Sequence, residues 1–262
     1  MNIDLKGKNA LVCGSSQGIG KAIAIELASL GAQVTLFARN KEKLEAVIKE
    51  LDTTNSQLHD FLVADFFNTG EVKSQIDNKL KTGITYEILI NNTGGPPPGP
   101  IAEAKPDEFL KGFQAHLINN QLLAQALIPG MKKNKYGRII NVISSSVKVP
   151  IPGLGVSNTI RGAVASWAKT LSGELAPFGI TVNNLLPGFT DTARLDALFE
   201  RKASEAGISK ESYIKKAKEE IPAKRLADPR ETAYAAAFLA SPSAAYITGI
   251  NLPVDGGKIP CL

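Results

Sequence analysis

The sequence predicts an α/β fold of the Rossmann-like kind, a doubly wound sheet of seven parallel strands with helices on both faces. Short apolar runs alternate with segments of helical spacing from one end of the chain to the other. A glycine-rich turn stands between the first apolar run and the first helical segment. The 262 residues, 44% of them hydrophobic and 21% charged, are enough to bury the core of a single domain, which we expect to span residues 1–262.

The glycine-rich turn is the most informative stretch of the chain. Residues 10–13 form a continuous apolar run that predicts a strand buried on both faces, and a helix is predicted over residues 21–30. Because glycine has no Cβ, such a turn lets backbone N–H groups and the helix N-terminus approach a phosphate group closely. The arrangement predicts a dinucleotide-binding turn, with an ordinary strand-to-helix turn as the alternative. Its residues are Gly14, Ser15, Ser16, Gln17, Gly18, Ile19 and Gly20.

The remaining strands and helices alternate in the same way. Strands are predicted over residues 33–38, 58–64, 86–90, 138–143, 180–186 and 250–254. Helices are predicted over residues 41–51, 106–133 and 157–176, and two more begin after Asn68 and Asp228, residue types that commonly cap helices. Residues 191–220 predict a charged helical insertion with little apolar density.

Composition and charge argue against several classes of function. The net charge of +5 is modest and the basic residues are spread along the chain, so we expect no nucleic-acid partner. No apolar run is long enough to span a bilayer and the chain begins without an apolar signal segment, so we expect a cytoplasmic protein with no membrane partner. The two cysteines, Cys13 and Cys261, predict neither a disulfide framework nor a metal site.

Several motifs together resemble those of the short-chain dehydrogenase/reductase family, and in particular the 3-oxoacyl-(acyl carrier protein) reductases. They are the glycine-rich turn, Asp65, the Asn-Asn-Thr-Gly segment at 91–94, Ser144, Pro187 with Gly188, and the Pro-Val-Asp-Gly-Gly segment at 253–257. The resemblance covers nearly the whole chain. It implies a dinucleotide-binding domain with a nicotinamide cofactor across the carboxyl edge of the sheet. It also implies a small-molecule substrate, a substrate lid at about 190–222, and a homo-oligomer, either a tetramer or a dimer.

Charge at the end of the second predicted strand favours NADP(H) over NAD(H). NAD-preferring relatives place an acidic residue there to accept hydrogen bonds from the ribose hydroxyls. Here Ala38 is followed by Arg39, whose guanidinium can hold a 2′-phosphate with two parallel hydrogen bonds. The alternative is that Arg39 is a solvated residue at the start of a helix.

The resemblance assigns further residues to the cofactor. It implies that Asp65 hydrogen-bonds the adenine, and that Asn91, with Thr93 and Gly94 beside it, lines the adenosine side. A helix-capping role for Asp65 is compatible with this. It also implies that three residues after the sixth strand meet the nicotinamide amide, with a tight strand exit as the alternative; they are Pro187, Gly188 and Thr190.

The family's catalytic pattern is kept only in part. The resemblance assigns Ser144 to the serine that polarises a substrate carbonyl. By the family's spacing, Ser157 stands at the position of the tyrosine acid/base and Arg161 at the position of the lysine four residues later. The position of the relay asparagine holds His116. An aliphatic hydroxyl is far less acidic than a phenol, whereas Arg161 keeps a positive charge that can hold the nicotinamide ribose, with a pKa expected to stay above about 12.

Two functions therefore remain open. The first is an NADP(H)-dependent oxidoreductase with an atypical catalytic site, in which His116 titrates near neutrality and donates the proton. A packed histidine is the alternative for His116, and Ser145, Ser146 or Tyr213 are other sources of a hydroxyl. The second is a catalytically impaired protein that binds NADP(H) as a sensor or partner. The substrate and the direction of the reaction stay undetermined.

Overall fold

The computed structural model describes residues 1–261 and contains one sheet of seven parallel strands. The strands lie in the order β3-β2-β1-β4-β5-β6-β7. The predicted fold class is therefore confirmed, and the reversal of strand order falls between β1 and β4. The strands are β1 (Asn9–Cys13), β2 (Gln33–Ala38), β3 (Asp60–Val63), β4 (Ile88–Asn91), β5 (Gly137–Val142), β6 (Ile180–Pro187) and β7 (Asn251–Val254).

The described part of the chain contains nine α-helices. They are α1 (Gly18–Ser29), α2 (Lys41–Ile48), α3 (Thr69–Leu80), α4 (Pro106–Phe113), α5 (Asn119–Asn134), α6 (Gly155–Leu175), α7 (Ala193–Ala206), α8 (Lys210–Glu219) and α9 (Pro229–Ala240). Helices α1, α2 and α9 pack on one face, and α3, α5 and α6 pack on the other.

The first strand shows why its sequence is apolar without alternation. Ala10 and Val12 point into the hydrophobic cluster under α1 and α9, while Leu11 and Cys13 point into the cluster on the opposite face. Successive side chains of a strand point to opposite faces, so a strand covered by helices on both sides needs apolar residues at every position.

Two predicted elements differ from the observed ones. The predicted strand over 58–64 is shorter, because the Leu58 side chain is 78% exposed and pairing with β2 begins only at Asp60. The helix predicted over 106–133 is divided by a π-helical turn, Gln114–Ile118, between α4 and α5. Such turns insert an extra residue into a helix and are frequent at functional sites.

Four asparagines in register cross the sheet from β4 to β7. Asn91 donates through Nδ2 to Oδ1 of Asn141 at 2.9 Å, Asn141 donates to Asn184 at 2.8 Å, and Asn184 donates to Asn251 at 2.8 Å. Each pair occupies opposed positions on adjacent strands. The Oδ1 atom of Asn91 is buried without a partner. We call this row the asparagine ladder.

The insertion after β6 consists of α7 and α8 and forms its own small hydrophobic cluster around Leu195 and Phe199. Its base is closed by a backbone bridge, because the Asp191 N–H donates to the Ala227 carbonyl and the Ala227 N–H donates to the Phe189 carbonyl. We call α7 and α8 the lid. Within residues 1–261, no helix is long and apolar enough to cross a membrane.

Candidate active site

The turn between β1 and α1 depends on glycine for close packing. Gly14 and Gly18 have positive φ angles of 59° and 57°, which L-residues with side chains rarely adopt. A Cβ at Gly14 would collide with the Asn92 carbonyl, and a Cβ at Gly20 would lie 2.6 Å from Asn92 Nδ2 and collide with the Gly14 carbonyl. Gly14 and Gly20 thus let the turn approach Asn92, directly after β4.

The N-terminus of α1 has no side-chain cap. Gln17 occupies the capping position but makes no capping hydrogen bond, and the first turn contains no acidic residue. By contrast, Asn40, Asn68 and Thr192 cap α2, α3 and α7 through their side chains. Free N–H groups and the positive end of the helix dipole make such a terminus suitable for an anion. The turn therefore fits the diphosphate of a dinucleotide.

The two serines of the turn differ in what they can offer a ligand. The Phe37 N–H donates to Ser15 Oγ at 3.0 Å, so this fully buried hydroxyl ties the turn to β2. Ser16 is half-buried, and Ile19 packs against the hydrophobic cluster beneath the turn. Ser15 therefore has a structural role in addition to any contact of its backbone with a phosphate.

Two cationic side chains stand at the end of β2. Arg39 is exposed directly after the buried Ala38. Lys43, on α2, donates to Gln17 Oε1 at 2.8 Å and so reaches the glycine turn. A 2′-phosphate on an adenosine ribose needs cations at this rim, and a carboxylate there would repel it. The sequence analysis identified Arg39 and missed Lys43.

Asp65 lies after β3, where its carboxylate shapes the turn into α3. Its Oδ1 accepts from the Phe67 N–H at 3.0 Å, and its own N–H donates to Glu71 at 3.0 Å. The helix cap itself is Asn68, which accepts from the Glu71 N–H at 3.3 Å. Asp65 is therefore held in place by the turn, with its second carboxylate oxygen left for another donor.

His116 and Thr93 form a direct contact that joins α4–α5 to the end of β4. The π-helical turn carries His116, and its Nδ1 lies 2.6 Å from Thr93 Oγ1. The imidazole is 3% exposed, and its Nε2 is buried without a partner. Burial, together with the charges of Arg161 and Arg194, lowers the pKa of His116 well below its ordinary value of 6.5. The expectation that this imidazole titrates near neutrality is wrong: it is neutral at pH 7.

Arg161 is buried on α6, against the end of β5. Its Nη1 donates to the Val142 carbonyl at 3.1 Å, while its Nε is buried without a partner. Burial, with Arg194 adding a smaller effect, lowers the pKa of Arg161 to about 9. The guanidinium remains charged at neutral pH, as expected from sequence.

Ser144 and Ser157 lie near Arg161 in the fold. Ser144 follows β5, and its Oγ accepts from the Ser146 N–H at 3.1 Å. Ser157 is on α6, one turn before Arg161, and is 8% exposed. Tyr213 packs instead within the lid, with its ring centroid 5.6 Å from that of Phe199. This geometry commits the Tyr213 side chain to the lid's hydrophobic cluster.

The segment after β6 makes a tight exit from the sheet, directly after Pro187. The Gly188 N–H donates to the Val254 carbonyl at 2.9 Å, and a Cβ at Gly188 would lie 2.7 Å from the Asp255 Cα. Thr190 is buried and donates to the Gly188 carbonyl at 3.3 Å. The alternative of a tight strand exit accounts for these contacts, and a role beside a nicotinamide is compatible with them. Gly94, in the loop that follows β4 (residues 92–100, the β4 loop), lies under the guanidinium of Arg194.

Arg194 is a second functional candidate, after Lys43, that the sequence analysis missed. It is the second residue of α7, and its Nη1 lies 3.5 Å from the Gly95 carbonyl. Burial lowers its pKa. A signal was present, because an arginine two residues after Thr192 lies at the start of the predicted lid. The sequence alone predicted only a charged helical insertion there and did not single out Arg194.

Comparison with known proteins agrees with this geometry. Residues 14–258 match the family model described as enoyl-(acyl carrier protein) reductase. The fold, the glycine turn and this match define an oxidoreductase built on a dinucleotide-binding sheet. The chain belongs to the short-chain dehydrogenase/reductase family.

Individual relatives extend over nearly the full length of the chain. It is 31% identical over 253 residues to the NADPH-dependent reductase BacG of Bacillus subtilis, covering 96% of this chain and 98% of that protein. It is 36% identical over 262 residues to the 3-oxoacyl-[acyl-carrier-protein] reductase FabG of Vibrio harveyi, covering 97% and 98%. The structure of L-sorbose reductase from Gluconobacter frateurii, complexed with NADPH and L-sorbose, superposes with a TM-score of 0.93 at 28% identity and covers all of both chains.

Proposed function

We propose that this chain is an NADP(H)-dependent oxidoreductase that reduces a carbonyl group, or oxidises an alcohol, of a small molecule at an atypical catalytic site. The observation that carries the proposal is the uncapped N-terminus of α1 at the same sheet edge as Ser144 and Arg161. BacG is named as an NADPH-dependent reductase, and the sorbose reductase was solved with NADPH, which supports the same cofactor here. When bound, the nicotinamide donates or accepts the hydride.

The cofactor residues follow from the geometry of the turn and the neighbouring strand ends. The glycine turn and α1 hold the diphosphate, Arg39 with Lys43 holds the 2′-phosphate, and Asp65 accepts from the adenine through its free oxygen. Arg161 holds the nicotinamide ribose. Asn91, Thr93, Gly94, Pro187, Gly188 and Thr190 line the remainder of the cleft. The cleft belongs to a single domain of residues 1–262 with a lid at about 190–222, in a cytoplasmic homo-oligomer, tetramer or dimer.

Proton transfer requires a group other than a phenol. We assign Ser144 to donate a hydrogen bond to the substrate oxygen. Ser157 supplies a second hydroxyl group near Ser144. The low pKa of His116 excludes a cationic imidazole as the resting acid at pH 7. His116 and Thr93 are instead a neutral hydrogen-bonding pair, in which the imidazole orients the Thr93 hydroxyl beside the site. This differs from the direct donation expected from sequence.

The second candidate is a protein that binds NADP(H) without hydride transfer. It is favoured by the observation that Arg161 is already engaged with the Val142 carbonyl and that no phenol lies at position 157. In that case Ser157→Tyr combined with Arg161→Lys is expected to create activity.

The two candidates are separated by titrating NADPH and NADH into the purified protein, followed by fluorescence. The same samples are then challenged with ketones and acetoacetyl thioesters. The first candidate predicts cofactor oxidation that falls at least about tenfold in Ser144→Ala. The control is Ser166→Ala, an exposed serine on α6, which should retain wild-type rates. Binding without oxidation across the panel favours the second candidate, and no binding refutes both.

A further inference from the structure

Arg161 and Arg194 approach the same small region from two sides. Arg194 comes from the lid, and its guanidinium lies so close to the β4 loop that a Cβ at Gly95 would be 2.5 Å from Nη2. Arg161 comes from α6 beneath the end of β5. Both guanidiniums lie close enough to the buried His116 imidazole to lower its pKa.

Neither guanidinium is neutralised. Among the ion pairs of residues 1–261, none includes Arg161 or Arg194. Arg161 is 8% exposed with its Nε unpartnered, and His116 is 3% exposed with its Nε2 also unpartnered. Arg194 is exposed, whereas Arg161 is buried. Cations of like sign repel each other, and a buried cation also loses hydration, so an anion that accepts from both guanidiniums stabilises the pair.

We propose that Arg194 and Arg161 bind a carboxylate of the substrate, Arg161 through N–H groups other than those that hold the nicotinamide ribose, so that this protein acts on oxo acids or the matching hydroxy acids. This inference rests on the proposed oxidoreductase function. In the reduction, the carbonyl carbon gains the hydride of the reduced nicotinamide. The carbonyl oxygen gains a proton from solvent through the hydroxyl groups of the site. The carboxylate is unchanged and serves only to hold the substrate.

The position of the pair favours the substrate over the cofactor as the source of the anion. The uncapped α1 N-terminus, which fits a diphosphate, follows β1, whereas Arg161 lies against the end of β5. Strand β4 separates these two strands, which places them roughly 10 Å apart at the usual spacing. Arg161 also lies one helical turn after Ser157 on α6, and it is far in sequence from the glycine-rich residues 14–20.

The test uses three isomeric probes, 2-, 3- and 4-oxopentanoate, each compared with its methyl ester. Binding is measured by calorimetry on the full-length protein saturated with NADP⁺, which cannot reduce them. We expect at least one acid to bind about tenfold or more tightly than its ester. Arg194→Gln should remove that preference for the acid, and its affinity for the ester should stay within about twofold of the wild-type value. Arg201→Gln, on the same helix, is the matched control and should keep the preference.

A parallel titration with NADPH distinguishes the two sources of an anion. If Arg194→Gln weakens NADPH binding about tenfold and leaves the acid-to-ester ratio unchanged, the guanidinium serves a cofactor phosphate and the proposal is overturned. Equal binding of acid and ester for all three pairs, or no binding of any acid, also overturns it. If the acid preference is present but none of the six compounds oxidises NADPH, the carboxylate site stands and the proposed function fails.

Discussion

The neutral state of His116 leads to a prediction about stability and pH. In the folded protein the pKa of this imidazole is well below 6.5, whereas in the unfolded chain it returns to its ordinary value. Below pH 6.5 the unfolded chain therefore binds a proton that the folded chain does not. Falling pH then favours unfolding, and the loss continues until the pH reaches the folded pKa.

The size of the effect follows from proton linkage. For one group with an unfolded pKa of 6.5 that stays neutral in the folded state, stability falls by about 2 kcal/mol between pH 7 and pH 5. His116→Asn and His116→Gln remove the titrating group, and both keep a side chain that can reach Thr93. Each substitution changes stability by some constant amount, but the additional loss of about 2 kcal/mol at pH 5 should disappear.

The assay is urea denaturation of the wild type and both variants at pH 7 and pH 5, at one protein concentration. The other histidine of the chain, His59, is present in all three proteins and cancels in the comparison. If the three proteins lose stability in parallel, to within about 0.5 kcal/mol, then His116 is protonated or solvated in the folded state and the electrostatic argument is refuted.

Three further predictions follow from other parts of the site and the sheet. Asn141→Leu leaves amide groups of Asn91 and Asn184 unpaired, so it should lower the free energy of unfolding by about 2–4 kcal/mol in urea denaturation; a loss below about 1 kcal/mol would contradict this. Arg39→Ala should weaken NADPH binding about 10- to 100-fold in a fluorescence titration and leave NADH binding unchanged, and an equal effect on both would remove the 2′-phosphate role. Gly20→Ala should lower the melting temperature and abolish NADPH binding, because its Cβ collides with the Gly14 carbonyl; wild-type behaviour would show that the turn has room to adjust.

The parts of the fold that could be predicted were those governed by local sequence. The run at 10–13 is apolar at every position, which is a requirement for a strand with helices on both faces, and Gln33–Ala38 was predicted to the residue. The cap at Asn68 was also predicted, because a side-chain acceptor before a helix acts within a few residues. In each case the cause and the effect are close together in the chain.

The parts that could not be predicted depend on contacts between distant segments. Both Thr93 and His116 depart from the family pattern, but only the fold shows that the two unusual residues contact each other. The π-helical turn that presents His116 adds one residue to the helix repeat and has no apolar signature. The Gly95 carbonyl that Arg194 contacts lies about a hundred residues earlier in the chain, so this contact cannot be inferred from the charged helix that carries Arg194.

The asparagine ladder aligns side-chain amide groups across four strands of the sheet. The three hydrogen bonds of the ladder run the same way, since Nδ2 of Asn91, Asn141 and Asn184 each donates toward β7, to the Oδ1 of the next asparagine. Four aligned amide dipoles therefore end in the unpartnered Oδ1 of Asn91, which is the negative end. This end lies on β4, three residues before Gly94, at the sheet edge where Arg161 and Arg194 lie. Because amides do not titrate, the partial negative charge at this edge stays constant with pH, whatever the protonation of its neighbours.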